Sequence, residues 1–329
     1  MEENVLNTIN KYDLIKSGDK IVLAVSGGPD SIFMFDILNK LRKKLNFEIV
    51  VCHINHMIRE EAIDDENFVK NICNENNIQC YIKRIDVTNY ANNNKMGTEE
   101  AGRILRYNFF EEILNKTGSN KIAIAHNKND KAETIIMNLL RGTGVQGLRG
   151  IEPIRDNKYI RPIIEIERKD IEEYCEINNL NPRIDKTNFE NIYTRNKIRN
   201  IVLPYIEKEF NPNIIESLNR LSEIATEEDD FLNTITKKSY DEMIIQKEND
   251  QIILDLKKFN SQDRVIKKRI ILYTINELMG TISGIEKIHI EDIIKLCENN
   301  IGNKYLTPNK NLKVLVNKGK IFVQLQKNY

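Results

Sequence analysis

Ser26-Gly27-Gly28-Pro29-Asp30-Ser31 separates two different kinds of sequence. Before it runs Ile21-Val22-Leu23-Ala24-Val25, wholly apolar. After it, Ile32, Phe33, Phe35, Ile37, Leu38 and Leu41 recur at the spacing of a helix over about residues 30–45. The order is therefore buried strand, glycine turn, helix start. Such a turn holds phosphate, because glycines let the backbone come close to the ligand and the unpaired N–H groups at the helix start point at its oxygens. The six residues are the expected cradle, with the Ser26 and Ser31 hydroxyls as further donors. Asp30 is the odd member, since a carboxylate repels phosphate unless Mg²⁺ lies between them. It also suits the helix N-cap. The common phosphate loop GxxxxGK[ST] is absent.

Outward from this stretch, strands are expected over 47–55, 78–87 and 121–125, alternating with helices over 60–77, 98–116 and 130–141. NYANNNKMG (89–97) is expected as a polar loop. Repeated βα units of this length give an α/β fold with a doubly wound, mostly parallel sheet. Ligands of such sheets sit beyond the carboxyl ends of the strands. Residues 26–31, 53–59 and 126–133 all occupy that position. From Gly150 the pattern changes to short extended pieces, a helix over 168–178, an irregular stretch over 179–191 and a long helix over 212–243. We expect a catalytic domain over 1–220 and a smaller, mainly helical domain over 221–329. The second ends in a hairpin over 313–326 around Asn317-Lys318-Gly319.

The chain has 329 residues, with 49 Lys and Arg balanced by 49 Asp and Glu, so no global basic field attracts nucleic acid. Local patches must do so. The segment from Ile301 onward holds six lysines and no Asp or Glu. The five cysteines form no CxxC pair, which argues against a zinc ribbon or disulfide framework and for a reducing compartment. The polar N-terminus is unlike a signal peptide, and no apolar run approaches a membrane span. A cytoplasmic protein is expected.

Three further clusters carry chemistry. Asp130 and Glu133, three apart at a helix start, share a face. They could hold an ammonium group or a metal, or merely complement the helix dipole. His126, at a strand end, could donate to phosphate or be structural. Arg103 and Arg106 lie on one side of their helix, suited to binding phosphate or steadying transferred charge, or to a solvated face with Glu–Arg pairs. Arg195, Lys197 and Arg199 with Tyr193 suit RNA, or a charged helix surface.

The SGGxDS turn directly after a buried strand resembles the PP-loop of the N-type ATP pyrophosphatases. The succession SGGPDS, HINHMIREEAIDDENFV, EEAGRILRYNFF, AHNKNDKAETIIMNLLRGTGVQGLRGI, RPIIEIERKDIEEYC and DKTNFENIYTRNKIRNIVLP resembles the tRNA(Ile)-lysidine synthetases over roughly residues 20–225. One departure is Lys131, where an uncharged amide is usual, which would alter the charge of the site. The resemblance implies ATP and Mg²⁺, lysine, and a tRNA(Ile) with a CAU anticodon whose wobble cytidine becomes lysidine. It implies ATP binding by Ser26 to Ser31 and His126, with Asp30 reaching Mg²⁺ through the phosphates. It implies lysine recognition by Asp130 and Glu133, and help in adenylation from Arg106 and from Arg195 or Arg199. A homodimer stays open. The rival readings are a tRNA 2-thiolase, which would need paired cysteines such as Cys73 and Cys80, and a nucleotide- or RNA-binding protein without turnover.

Overall fold

A computed structural model describes residues 1–57, 62–183, 193–299 and 304–326. Ile58 and Arg59 of the loop after the second strand, and residues 185–192 of the DKTNFENIYTRNKIRN stretch, lie outside the described residues. The chain divides into two compact units, Met1–Ala225 and Thr226–Tyr329.

The first unit begins with helix α1 (Glu2–Lys11), strand β1 (Lys20–Ala24) and helix α2 (Pro29–Leu45). Next come β2 (Glu48–Asn55), α3 (Ala62–Glu75), β3 (Cys80–Arg84), α4 (Val87–Asn94), α5 (Thr98–Thr117), β4 (Lys121–Ile124) and α6 (Lys128–Leu140). Short α7 (Val145–Leu148), β5 (Ile154–Arg155) and β6 (Tyr159–Ile160) lead to α8 (Arg168–Ile177). The unit ends with α9 (Thr194–Lys197), a π-helical turn (Ile198–Val202), α10 (Leu203–Glu209) and the start of α11 (Ile214–Met243).

The sheet order is β3-β2-β1-β4-β6-β5. All pairings are parallel except the short β5–β6 edge. The apolar runs of the central strands are explained by burial on both faces. Ile21, Leu23, Ile49 and Val51 pack with Phe33, Ile37 and Leu38 of α2. Val22, Val50 and Cys52 pack on the other side with Phe109, Phe110 and Ile113 of α5. Phe33, Ile37 and Leu38 are fully buried. Each contributes roughly 1.5–3 kcal/mol by transfer out of water, which fixes where α2, and so the turn before it, must lie. Chain direction across the sheet reverses between β1 and β4, so their carboxyl ends open a crevice.

One expected loop is a helix. The strand expected to reach Val87 ends at Arg84, and α4 covers most of NYANNNKMG. The Asp86 side chain accepts from Asn89 N at 2.9 Å, an N-cap, and Lys95 ends the helix in a left-handed conformation. Val87 and Ala91 bury against Ala101 of α5. Capping and two buried contacts override the poor helix propensity of its asparagines. The π turn has a local cause as well. Pro204 has no N–H, and the widened turn before it lets the helix continue.

The second unit holds the rest of α11, β7 (Ile244–Lys247), β8 (Gln251–Asp255), α12 (Leu256–Asn260), α13 (Arg264–Met279), α14 (Lys287–Asn299), β9 (Lys304–Asn309), β10 (Leu312–Asn317) and β11 (Lys320–Leu325). The expected hairpin, β10–β11, is the middle of an antiparallel sheet ordered β7-β8-β11-β10-β9. Leu312, Val314, Val316, Ile321 and Val323 face a core with Phe259, Ile270, Ile275 and Ile294. β9 gives little strand signal because Pro308 interrupts it. It is an edge strand, and its register with β10 shifts between Leu312 and Val314, where a residue without an N–H is tolerated.

Candidate active site

The glycine turn lies at the carboxyl end of β1. Gly27 has φ +99°, a backbone conformation that side chains with a Cβ rarely adopt. The turn is closed by Ser31, whose hydroxyl oxygen accepts from Ser26 N at 3.2 Å and Gly27 N at 3.1 Å and donates to Gly28 O at 2.9 Å. Two of the expected phosphate donors, Ser26 N and Gly27 N, are thus engaged by this hydroxyl within the turn. Asp30 is not the helix cap. Gly28 holds that position, and Asp30 lies inside the first turn. Its Oδ1 accepts from Asn127 Nδ2 at 2.8 Å, which links the glycine turn to the start of α6. Burial, then the neighbouring charge of Asp130, push the Asp30 carboxyl up to about 6, against Asn127, Arg168 and Arg199.

α6 begins with a reciprocal cap. Asp130 N donates to Asn127 Oδ1 at 2.9 Å, and Asn127 N to Asp130 Oδ2 at 3.0 Å. Asp130 and Glu133 do share a face, and both are buried. They are also already matched. Arg168 Nη2 lies 3.3 Å from Asp130 Oδ1 and 3.2 Å from Glu133 Oε1. Arg195 reaches Asp130 at 3.1 Å and Glu133 at 2.8 Å, and Arg199 reaches them at 3.0 and 2.7 Å. Arg195 and Arg199 are four residues apart, on one face of α9 and the π turn that continues it. Burial pushes the Asp130 carboxyl up, but Arg195 and the other neighbouring cations outweigh it and hold it low. Three guanidiniums on two carboxylates leave the cluster one positive charge in excess. An ammonium group could reach the pair only by taking the place of a guanidinium. The TRNKIRN cations are therefore not an outward RNA-binding face. Arg195 and Arg199 turn inward, and Lys197 alone of the three is exposed.

Ser26, Gly28, Pro29, Asp30, Ser31, Arg106, His126, Asp130, Arg195 and Arg199 all line one cavity of about 1820 Å³. Gly27 lies within the turn, and Glu133 is buried beneath Asp130. The Arg106 guanidinium sits in the cavity wall, and burial lowers its pKa. Near it are His53 and His56. Burial lowers both pKa values, that of His56 to about 4. His53 donates from Nδ1 to Val25 O at 2.9 Å. His126 is held near 4, chiefly by burial. Lys131 does not line the cavity. Burial lowers its pKa while Glu223 and Glu165 oppose that, so its charge is answered elsewhere.

The sequence reading missed Arg168, Asn127 and Arg161. Arg168 lies within the RPIIEIERKDIEEYC stretch but was given no role there, and only the packing of α8 against α2 brings it here. Asn127 had a usable signal, since Asn followed three residues later by Asp is a capping pattern.

Among the described residues, no group of three His, Cys, Asp or Glu could form a metal cage. Mg²⁺ needs none when phosphates supply most of its oxygens and one or two carboxylates complete the set. Asp30 fits that role, as a carboxylate pushed up by burial and by the neighbouring charge of Asp130, both of which a cation would offset.

Residues 1–206 match the model of the PP-loop domain. The tRNA(Ile)-lysidine synthase of Clostridioides difficile is 46% identical over 322 residues, 98% of this chain and 70% of that protein. That of Clostridium acetobutylicum is 46% identical over 329 residues, 100% of this chain and 71% of the other. Among solved structures, the U34-tRNA thiolase NcsA from Methanococcus maripaludis, with its [4Fe-4S] cluster, matches 69% of this chain and 78% of its own. The TM-score is 0.58 at 20% identity, a likeness of fold alone. With the parallel sheet, the SGGPDS turn and the arginine-lined cavity in place, the chain belongs to the tRNA(Ile)-lysidine synthase family and carries its PP-loop domain.

Proposed function

We propose that the cavity joins lysine to C2 of the wobble cytidine of a tRNA(Ile) with a CAU anticodon, at the expense of ATP. Ligation of lysine to tRNA(Ile) is the reaction of the family; the anticodon, the metal and the residue roles are our assignment. One observation carries the reading. The glycine cradle and an arginine-rich wall line a single cavity, larger than the ~300–1,000 Å³ typical of one small ligand. ATP and a flipped-out base need such room.

In the first step the cytosine O2 attacks the α-phosphate of ATP. The O2–P bond forms, the bond to the β-phosphate breaks, and pyrophosphate leaves. The N–H groups of the glycine turn, with the Ser26 and Ser31 hydroxyls, receive phosphate oxygens. Mg²⁺ on Asp30 would supply positive charge to the departing pyrophosphate. Arg106 and the surplus guanidinium of the Arg168, Arg195 and Arg199 cluster steady charge on the transferred phosphoryl group. In the second step the neutral ε-amine of lysine attacks C2. The C2–O2 bond breaks, AMP departs with that oxygen, and the nitrogen sheds a proton. Asp130 and Glu133 receive the lysine α-ammonium when one guanidinium swings toward phosphate.

The thiolase alternative needs reactive paired thiols. Cys73 is buried in the core and Cys80 is half-buried on β3 beside it, where their contact lowers the Cys80 thiol, but neither lines the cavity. Cys52 and Cys175 do line the cavity, but burial pushes both thiols up, that of Cys175 to about 12. No helix among the described residues is long and apolar enough to cross a membrane.

The test is a single reaction with ATP, Mg²⁺, labelled lysine and the CAU transcript. Label should enter the RNA with one AMP and one pyrophosphate released per lysine. Pyrophosphate release without label in the RNA would overturn the reading.

A further inference from the structure

Arg161 is 5% exposed and forms no ion pair among the described residues, although the Glu152 carboxylate acts on it from beyond ion-pair distance. A buried guanidinium without a counter-ion costs several kcal/mol, so its position needs a reason. Its hydrogen-bonding partners are neutral, the Tyr107 side chain among them. Nε donates to His126 Nδ1 at 3.1 Å, and Nη1 donates to the carbonyl of Glu152. Arginine does not give up its proton in proteins, so Nε can only donate. An imidazole that accepts at Nδ1 is neutral and carries its one proton on Nε2. His126 lines the cavity, and no described residue takes a hydrogen bond from its Nε2. Burial disfavours a second proton; the neighbouring Asp130 favours one, but Arg161, Arg195 and Arg106 side with burial and the net effect is to keep the ring neutral.

We propose that Arg161 is a positioning residue that locks His126 as the Nε2–H tautomer, a fixed neutral donor aimed into the cavity at the phosphate of ATP undergoing transfer. Fixing the ring this way has two effects. The donor is present at every pH at which the enzyme is folded, because no titration is needed to create it. The same contact stops the ring from flipping to offer an acceptor, which would repel a phosphate oxygen. The proposal rests on the ATP reading of the site only for what the donor faces. The tautomer is a property of the ligand-free protein.

Nitrogen-15 NMR of the histidine side chains, assigned with His126→Gln, tests it. In the ligand-free protein His126 should show a protonated Nε2 and an unprotonated, hydrogen-bonded Nδ1. A proton on Nδ1, or an imidazolium at pH 7, overturns the inference whatever the protein's reaction. In Arg161→Gln the signal should become a mixture of tautomers. A kinetic cycle gives the second arm, following pyrophosphate release. Arg161→Gln should lower kcat about tenfold or more with KM for ATP little changed. In a His126→Gln background it should cost less than twofold. Multiplying effects would mean that Arg161 touches substrate itself and would overturn its role through His126. Should Arg161→Gln fail to fold, the wild-type spectrum and the cycle with Arg161→Lys decide the matter. Failure of the lysidine reading would leave the spectrum unchanged, so the two failures are distinguishable.

Discussion

Asp30 holds an opposition between stability and chemistry that Asp30→Asn should expose. The native carboxyl is pushed up to about 6, from an ordinary value of 3.8. Between these values the native state binds more protons than the unfolded chain. Stability is therefore lost as pH rises from about 4 through 6. At 1.36 kcal/mol per pH unit of displacement, the raised carboxyl costs the ligand-free protein about 3 kcal/mol at pH 7, roughly half of that at pH 5 and little at pH 4. Asparagine keeps the size of the side chain and an oxygen for Asn127 Nδ2, and removes the charge. In a unit of this size, about 3 kcal/mol corresponds to roughly 6–12 °C in Tm. The assay is urea or thermal unfolding of wild type and variant at the three pH values, first without ligand. The variant should be more stable at pH 7, and the gap should nearly close at pH 4. With ATP and Mg²⁺ the order should shrink or reverse, because only wild type gains binding energy, and pyrophosphate release by the variant should be lost. A variant less stable than wild type at pH 7, or a gap independent of pH, would refute the electrostatic account.

Other perturbations probe other parts of the site. Gly27→Ala meets only ordinary contacts, the nearest Val69 Cγ2 at 3.7 Å, but forces a Cβ onto φ +99°; it should cost about 1–3 kcal/mol in urea unfolding and weaken ATP binding. Glu133→Gln removes half of the charge that answers three arginines. It should destabilise by about 3–5 kcal/mol, read as a fall in the urea midpoint at unchanged slope. Lys318 and Lys320 are exposed in the β10–β11 hairpin. Reversing both to Glu should weaken tRNA binding and flatten its dependence on salt, leaving ATP binding unchanged in equilibrium dialysis.

The parallel sheet was legible because its evidence is local. Strands buried on both faces read as apolar runs, and the helix after SGGPDS declares itself by periodicity. The cavity's membership was legible too, since a doubly wound sheet gathers the carboxyl ends of its strands in one place. What the sequence concealed is pairing at long range. Asp130 and Glu133 read as free acids, because the three arginines that answer them lie 35 to 69 residues further on. Arg161 stood inside a recognised motif, yet its partner is a ring nitrogen in the loop between β4 and α6. Lys131 read as a charge added to the site, and only the orientation of α6 turns it away. α4 was hidden because caps and two small buried contacts, not propensity, hold it. β7 and β9 were hidden because edge strands need no apolar pattern.

The central claim is that one cavity adenylates a cytidine and then exchanges AMP for lysine. Mass spectrometry of the anticodon fragment after reaction with ATP, Mg²⁺ and lysine tests it most directly. The account predicts that the wobble cytidine gains the mass of lysine less one water, and that omitting lysine leaves an adenylated cytidine or none. An unmodified cytidine beside consumed ATP, or sulfur in place of lysine, would contradict it.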